Sequence, residues 1–253
     1  MRTPIKTLVT VAAVGLASSG AQAAIYTINA TAVGWYNNAG YSLPGNTNYL
    51  AGFDGDSSGV GTNLFRDWFV FDLQSLPSGT IASATLTLYN PAANDAYGTF
   101  GNGFSSVNSS ETFQICSVAT PVDSLAGGTG GIAAFNSLGT GTLWGGSTVD
   151  SAANGSFVTI ALNPSFESTA ATFLANGSLA LGGSLAGDST FTTPRYVFAW
   201  TGEEVAQPTP SLTLDIQSAP EPSSLGFLSG CVAVSFFLRY RPIANPLRNA
   251  NRR

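Results

Sequence analysis

The sequence contains no histidine, and its only lysine, Lys6, lies near the start. Without histidine, Ser-His-Asp and Cys-His catalysis, imidazole bases and His-based zinc sites are excluded. Charged residues make up only 9% of the chain, and there are two cysteines. Residues 24–217 hold Cys116 alone, so they form no internal disulfide. We expect Cys116 to be a small buried core residue, because its neighbours are apolar.

Basic residues are almost confined to the two ends of the chain. Residues 24–217 keep only Arg66 and Arg195 against thirteen acidic residues, which gives this part a net charge of −11. Binding to a nucleic-acid backbone depends on Lys and Arg neutralising phosphates. We therefore expect no nucleic-acid partner.

The start of the chain has the order of a secretory signal peptide. Two basic residues precede an apolar run over 8–17, and small residues then lead to Ala21, Gln22 and Ala23. A charged segment, an apolar segment and an A-x-A ending are typical of signal peptides. We predict a signal peptide over residues 1–23, with cleavage between Ala23 and Ala24 and export of the rest.

The other end of the chain carries a second apolar run. As a straight helix it spans about 21 Å at about 1.5 Å per residue, less than a hydrocarbon core of about 30 Å. The basic residues that follow it predict a cytoplasmic tail over 242–253. The pattern is typical of a sorting tail rather than a permanent anchor. Its parts, in order, are Pro220, Glu221 and Pro222, the run over 225–238, and Arg239 and Arg241.

This order resembles the PEP-CTERM sorting signal of Gram-negative bacteria, over residues 218–241. The resemblance implies transient insertion into the inner membrane and an exosortase-type membrane cysteine transpeptidase as partner. It further implies cutting near the triplet and delivery of the body to the cell surface or the extracellular polysaccharide matrix of a biofilm. The family usually ends just after its basic cluster, whereas this chain continues to residue 253.

The pattern of residues 24–217, the body of the protein, predicts short strands separated by clusters of Gly, Asn, Ser and Pro. Alternation of apolar and polar residues gives each strand one buried face. We predict one all-β domain over 24–217, a jelly-roll-like antiparallel β-sandwich in which two sheets bury these faces. The predicted strands are 25–33, 65–73, 84–89, 112–118, 143–149, 157–162, 178–181, 195–201 and 212–216.

One or two short helical insertions are expected within this domain. Asn163 before Pro164 is an N-cap followed by proline at the first helical position, and Gly177 supplies a C-terminal stop. A shorter helical turn is predicted over 131–138.

The segment 65–90 contains an Arg-x-x-Phe-x-Phe-Asp-Leu strand over 66–73, a Pro-Ser-Gly turn over 77–79 and a Ser-Ala-Thr-Leu strand over 83–86. It is similar to a group of PEP-CTERM proteins that share the two strand motifs, and it resembles the DNRLRE-type secreted β-sandwich, which is related to carbohydrate-binding modules. The second resemblance implies a jelly-roll-like fold and makes sugar binding an alternative function.

Two patterns indicate where a ligand would bind. Asp54, Asp56 and Ser58 match the first half of a calcium loop, but its twelfth position is Phe65 instead of a bidentate Glu. A looser structural calcium site and an ordinary Asp/Gly turn both remain open; no other cofactor is expected. The second pattern is aromatic: rings in Gly-rich segments either stack on sugar faces or cap the core. These rings are Trp35, Tyr36, Tyr41 and Trp144.

Two function classes follow from these observations. The first is a noncatalytic exported protein of the cell surface or matrix, and the second is a secreted glycan-binding module, with or without calcium. Glycoside hydrolysis is a distant third, because it needs two carboxylates paired across the sugar bond and nothing in the sequence pairs any two. The carboxylates concerned are Glu111, Glu167, Glu203 and Glu204.

Overall fold

The computed structural model describes residues 23–45, 47–55, 63–92, 103–199 and 208–217. These residues are mostly β, with eleven strands and three α-helices. The strands are β1 (Ala23–Asn37), β2 (Ala51–Phe53), β3 (Leu64–Asp72), β4 (Thr80–Asn90), β5 (Gly103–Ser106), β6 (Ser110–Ser117), β7 (Leu143–Asp150), β8 (Ser156–Leu162), β9 (Ser178–Leu185), β10 (Arg195–Ala199) and β11 (Ser211–Gln217). The helices are α1 (Val122–Ala126), α2 (Gly131–Thr140) and α3 (Pro164–Asn176).

Eight antiparallel strands close into a barrel. Their order around it is β1, β11, β4, β8, β7, β6, β9 and β3, and β3 returns to β1. Closure depends on β1, which pairs with β11 over residues 23–29 and with β3 over residues 30–37. The register shifts between Ala30 and Ala32, so a bulge marks the change of partner.

The predicted β-rich, antiparallel architecture is confirmed, but the strands form a closed barrel where two separate sheets of a jelly-roll-like sandwich were expected. The difference arises because the long strand β1 pairs with both β11 and β3, which in a sandwich would be edge strands of separate sheets. Each of the nine predicted strands overlaps an observed one. The two strands missed, β2 and β5, have three and four residues, too few to show an alternating pattern.

Apolar side chains from the inward faces of the strands fill the barrel. On β3 these are Phe69 and Phe71, and on β4 Leu86 and Leu88, all fully buried. The opposite face of β3 is covered as well, because Trp68 and Val70 pack with Leu125 of α1 and Leu138 of α2. This double burial explains why residues 68–71 of β3 are apolar on both faces and do not alternate.

Helix α3 has the ends that the sequence predicted. The Asn163 side chain accepts hydrogen bonds from the amides of Ser165 and Phe166, and Gly177 ends the helix in the left-handed conformation, at φ 71°. The predicted turn over 131–138 is confirmed as α2. The five-residue α1 was not predicted.

Helix α3 packs where strand pairing is sparse. Strands β7 and β8 pair at Gly145 and Leu162 alone in the described barrel. Trp144 of β7 lies edge-on to Phe166 and to Phe173 of α3, with ring centroids 5.3 and 5.4 Å apart. Aromatic packing therefore links β7 to the helix at this point.

A buried ion pair attaches α2 to the barrel. The Arg66 guanidinium donates from Nε and Nη2 to the two carboxylate oxygens of Asp188, at 2.7 and 2.9 Å. Its Nη1 donates to the Phe135 carbonyl at 3.1 Å, and the guanidinium lies 4.3 Å from the centre of the Phe135 ring. Gly139 leaves the required space, because a Cβ there would lie 2.5 Å from the guanidinium carbon.

We predict that Arg66→Met destabilises the fold by about 3–5 kcal/mol, because it leaves the Asp188 carboxylate buried without a counter-charge. Urea unfolding of the full chain measures this change. The double variant Arg66→Met/Asp188→Asn should recover much of the loss. A single-variant cost below about 1 kcal/mol, the range of exposed pairs, would contradict this role.

Candidate functional site

An aromatic surface lies at the end of β1. The Trp35 ring meets the Phe65 ring edge-on, with centroids 5.0 Å apart, and lies 6.0 Å from the Tyr41 ring at an angle of 48°. Tyr41 is 56% exposed, and Trp35 and Phe65 are half-buried. We call Trp35, Tyr41 and Phe65 the Trp35 surface.

The turn after β1 positions Tyr41 in this surface. The Asn37 side-chain oxygen accepts from the amides of Ala39 and Tyr41, at 3.1 and 2.8 Å, so the chain folds back on the strand end. Gly40 has φ 82°, and a Cβ there would lie 2.4 Å from the Ile132 amide nitrogen. The turn therefore requires glycine at this position, both for its conformation and for its close approach to α2.

Amide side chains border the aromatic rings. The Trp35 indole donates to the Asn48 oxygen at 3.2 Å, and the Asn37 amide donates to the Asn63 oxygen at 3.2 Å. The Asn63 backbone amide donates to Asp54 at 2.9 Å. Apolar ring faces beside a few fixed polar groups are the usual composition of a small-molecule site.

A buried carboxyl lies opposite Trp35 in the sheet. Asp67 of β3 is the register partner of Trp35 and is fully buried, and its Oδ1 accepts from the Leu50 amide at 2.6 Å. Among the described residues, its Oδ2 has no hydrogen-bond partner. Burial raises the pKa of Asp67 well above its usual range, against the lowering effect of the Leu50 hydrogen bond. Asp67 therefore fixes the backbone at Leu50, two residues after the Asn48 side chain that accepts from Trp35.

Tyr49 attaches residues 48–50 to a second strand, β4. Its hydroxyl donates to the Tyr89 carbonyl and accepts from the Tyr89 amide, each at 3.0 Å. Tyr49 is fully buried, and burial is the main cause that raises the pKa of its hydroxyl. Three anchors, on Trp35, Asp67 and Tyr89, thus position residues 48–50.

The structure brings together two of the four rings proposed for sugar stacking. Trp35 and Tyr41 share a surface, whereas Tyr36 is fully buried and donates its hydroxyl hydrogen to the Ser124 carbonyl at 2.8 Å. Trp144 is 3% exposed and belongs to the core beside α3. Tyr36 and Trp144 therefore present no ring face to a ligand at the surface. Sequence reasoning missed Phe65, although its position at a strand end was visible.

The proposed calcium residues are only partly within the described chain. Asp54 is buried, and its Oδ1 accepts from the Asn63 amide, while Asp56 and Ser58 lie outside the described residues. Within the described ranges, no three His, Cys, Asp or Glu side chains are grouped so that they could hold a metal ion. Asp54 thus closes the turn before β3 in this structure.

The sorting residues lie outside the described chain. They are Pro220, Glu221, Pro222, Arg239 and Arg241, together with Ala21 and the apolar run over 225–238. None of the helices in the described chain is long and apolar enough to span a membrane. At the predicted signal cleavage site, Ala23 and Ala24 begin β1 and pair with Gln217 and Ile216.

Two of the remaining reactive side chains, Cys116 and Glu111, are buried. Cys116 is 4% exposed, as expected of a core residue, and burial raises the pKa of its thiol. Glu111 is buried and accepts from the Ser106 hydroxyl and from Asn108, while Glu167 lies in the first turn of α3. The other two carboxylates considered for glycoside hydrolysis, Glu203 and Glu204, lie outside the described residues.

Comparison with known proteins gives no relative from which a function could be transferred. No family model matches the chain, and no curated protein matches it.

The raised pKa of Asp67 predicts that the stability of the body depends on pH. With a folded-state pKa above the ordinary Asp value of 3.8, the folded protein keeps a proton that the unfolded chain releases, so we expect stability to fall as pH rises above about 4. Asp67→Asn removes this effect but keeps an acceptor for the Leu50 amide. We predict that wild type loses stability relative to Asp67→Asn by about 1.4 kcal/mol per pH unit, until the folded pKa is reached.

Urea unfolding at several pH values from 4 to 8 measures this difference. The exposed Asp72→Asn on the same strand is the matched control and should show no comparable slope. A pH-independent difference between wild type and Asp67→Asn would show that Asp67 is ionised in the folded protein.

Proposed function

We propose that this chain is a noncatalytic exported protein, sorted to the cell surface or the extracellular polysaccharide matrix by its C-terminal signal. The observation that carries the proposal is the order of the tail: Pro220-Glu221-Pro222, a short apolar run and then Arg239 and Arg241. The sequence around Ala21 to Ala24 adds an export signal at the other end. The proposed partner is an exosortase-type transpeptidase in the inner membrane.

The arrangement of the body supports this topology. The two ends of the barrel chain are adjacent, because Ala23 is the register partner of Gln217. Residues 23 to 35 of β1 extend about 40 Å along the strand at about 3.3 Å each. Trp35 therefore lies far along β1 from the adjacent ends of the body, Ala23 and Gln217.

Glycan binding is the second candidate function, favoured by the Trp35 surface. Tyr41 is exposed and Trp35 and Phe65 are half-buried at a strand end, and the amide groups beside them are fixed by hydrogen bonds. The C–H groups of a sugar can stack on the faces of such rings, and amides supply hydrogen-bond donors and acceptors for its hydroxyl groups. The net charge of −11 over residues 24–217 favours uncharged glycans over acidic ones. The resemblance of 65–90 to a sandwich related to carbohydrate-binding modules agrees with this function.

Deletion of residues 220–253 tests the sorting proposal. In a host without exosortase we expect the intact chain to fractionate with the inner membrane, and the deleted chain to be released in soluble form. Replacement of Glu221 by Ala is the matched control: it keeps the apolar run, so membrane association should persist. Equal solubility of the intact and deleted chains would contradict a membrane role for the tail.

Loss of the Trp35 ring tests glycan binding. Against an array of neutral polysaccharides we expect Trp35→Ala to weaken binding of the full chain about tenfold or more, because a central aromatic contact is removed. The control is Phe157→Ala, which removes a ring that is 59% exposed on β8, away from this surface. Binding that is insensitive to Trp35→Ala, or absent across the array with and without calcium, would overturn this candidate.

A further inference from the structure

The predicted signal cleavage site is part of the first strand of the barrel. Ala23 and Ala24, on either side of the cut, pair with Gln217 and Ile216 of β11. Hydrolysis of the peptide bond between them gives a carboxyl group on Ala23 and an amine on Ala24. The amine takes up a proton from water at neutral pH, because the pKa of an α-amino group is about 8. The cut therefore places a positive charge where β1 closes on β11.

The nitrogen of Ala24 faces β11. Further along β1, the Ala30 amide donates to the Pro210 carbonyl at 2.8 Å. Hydrogen-bonded positions recur at every second residue of an antiparallel strand, and the register from Ala23 to Asn29 has no shift. The Ala24 nitrogen therefore points across to β11, whose axis lies about 4.8 Å away.

Asp215 is a carboxylate without a partner beside this nitrogen. It directly precedes Ile216 on β11 and is the register partner of Ile25. Asp215 is half-buried, and its Oδ1 is buried and has no hydrogen-bond partner among the described residues. The residues next to it on the same face of the sheet, Ile25, Ser83 and Thr213, are uncharged. A partly buried carboxylate with an unsatisfied oxygen is stabilised by a nearby cation.

Both basic side chains of the body are engaged elsewhere. Residues 24–217 contain Arg66 and Arg195 as their only basic side chains. Arg66 binds Asp188 at 2.7 Å, and Nη1 of Arg195 lies 3.9 Å from Oε1 of Glu111. The α-amino group is therefore the cation that processing adds to the body.

We propose that signal cleavage creates an ion pair between the α-ammonium group of Ala24 and the carboxylate of Asp215, which strengthens the pairing of β1 with β11. In the uncleaved chain the same nitrogen is a neutral peptide amide, so the ion pair exists only after processing. Closure of the barrel is then more stable in the exported protein than in its precursor. The proposal rests on the export proposed above, because it requires the cut between Ala23 and Ala24.

The pKa of the Ala24 amine tests the proposal directly. The signal-cleaved chain contains no lysine, so this amine is its only primary amine. Reductive methylation with ¹³C-formaldehyde labels it alone and keeps its charge, and the ¹³C shift followed against pH gives its pKa. We expect this pKa to be about 0.5 higher in the folded wild type than in Asp215→Asn, the effect of a partly exposed ion pair. Asp72→Asn, which removes an exposed acid of β3, is the matched control and should leave it unchanged.

Hydrogen exchange tests the effect on closure. Acetylation of the Ala24 amine removes its charge and restores the amide of the precursor. We expect acetylation of wild type to speed exchange of the Tyr26 and Ile28 amides, which face β11, about threefold, the factor equivalent to 0.5 in pKa. Acetylation of Asp215→Asn should leave these rates unchanged. Equal acceleration in both proteins would show that the charge acts without Asp215 and would overturn the ion pair.

The ion pair and the export proposal fail in different ways. Mass spectrometry of the exported chain identifies its first residue. A first residue other than Ala24 would overturn both the predicted cut and the ion pair. A chain that begins at Ala24, but whose amine has the same pKa in wild type and in Asp215→Asn, would overturn the ion pair alone and keep export.

Discussion

The pairing of β1 with two different strands determines the rest of this structure. Its first half bonds to β11 and its second half to β3, and this change of partner closes the barrel. Closure leaves the eight barrel strands without an open edge, which limits edge-to-edge association of an apolar, sparsely charged β protein, while β2, β10 and β5 continue the pairing from β3. The same strand brings both ends of the body together and carries the Trp35 surface at its far end.

Local patterns predicted the secondary structure well. Strands β4, β8 and β11 each alternate between buried and exposed residues, and this alternation is visible in the sequence. Helix α3 begins and ends at its predicted caps because capping depends on residues close together in the chain. The closure of the barrel was not predictable in this way: the partners of β1 lie far along the chain, and no local pattern records which strands pair.

The candidate site was predictable in part for the same reason. Tyr36 and Trp35 are neighbours in sequence and point to opposite faces of β1, so one lies in the core and the other at the surface. Alternation predicts that the two side chains lie on opposite faces of β1, but it does not predict which face is covered. In the structure α1 and α2 cover one side of β3 and β1. Trp144 was considered for sugar stacking or core capping because glycines surround it, and those glycines admit neighbouring backbone, such as the Ala161 carbonyl beside Gly145. Phe65 escaped notice because it begins a predicted strand, 65–73, whose other aromatic residues, Trp68, Phe69 and Phe71, belong to the core.

The few charges of the described body serve its architecture. Arg66 and Asp188 attach α2, Asp54 closes a turn, and Asp67 positions the chain beside Trp35. We propose that the two end segments decide where this body acts. Mass spectrometry of the protein recovered from the cell surface of its own host tests that claim most directly. The account predicts a product that begins at Ala24 and ends near Pro220–Pro222; a surface product that retains residues 220–253, or an intact chain in the cytosol, would contradict it.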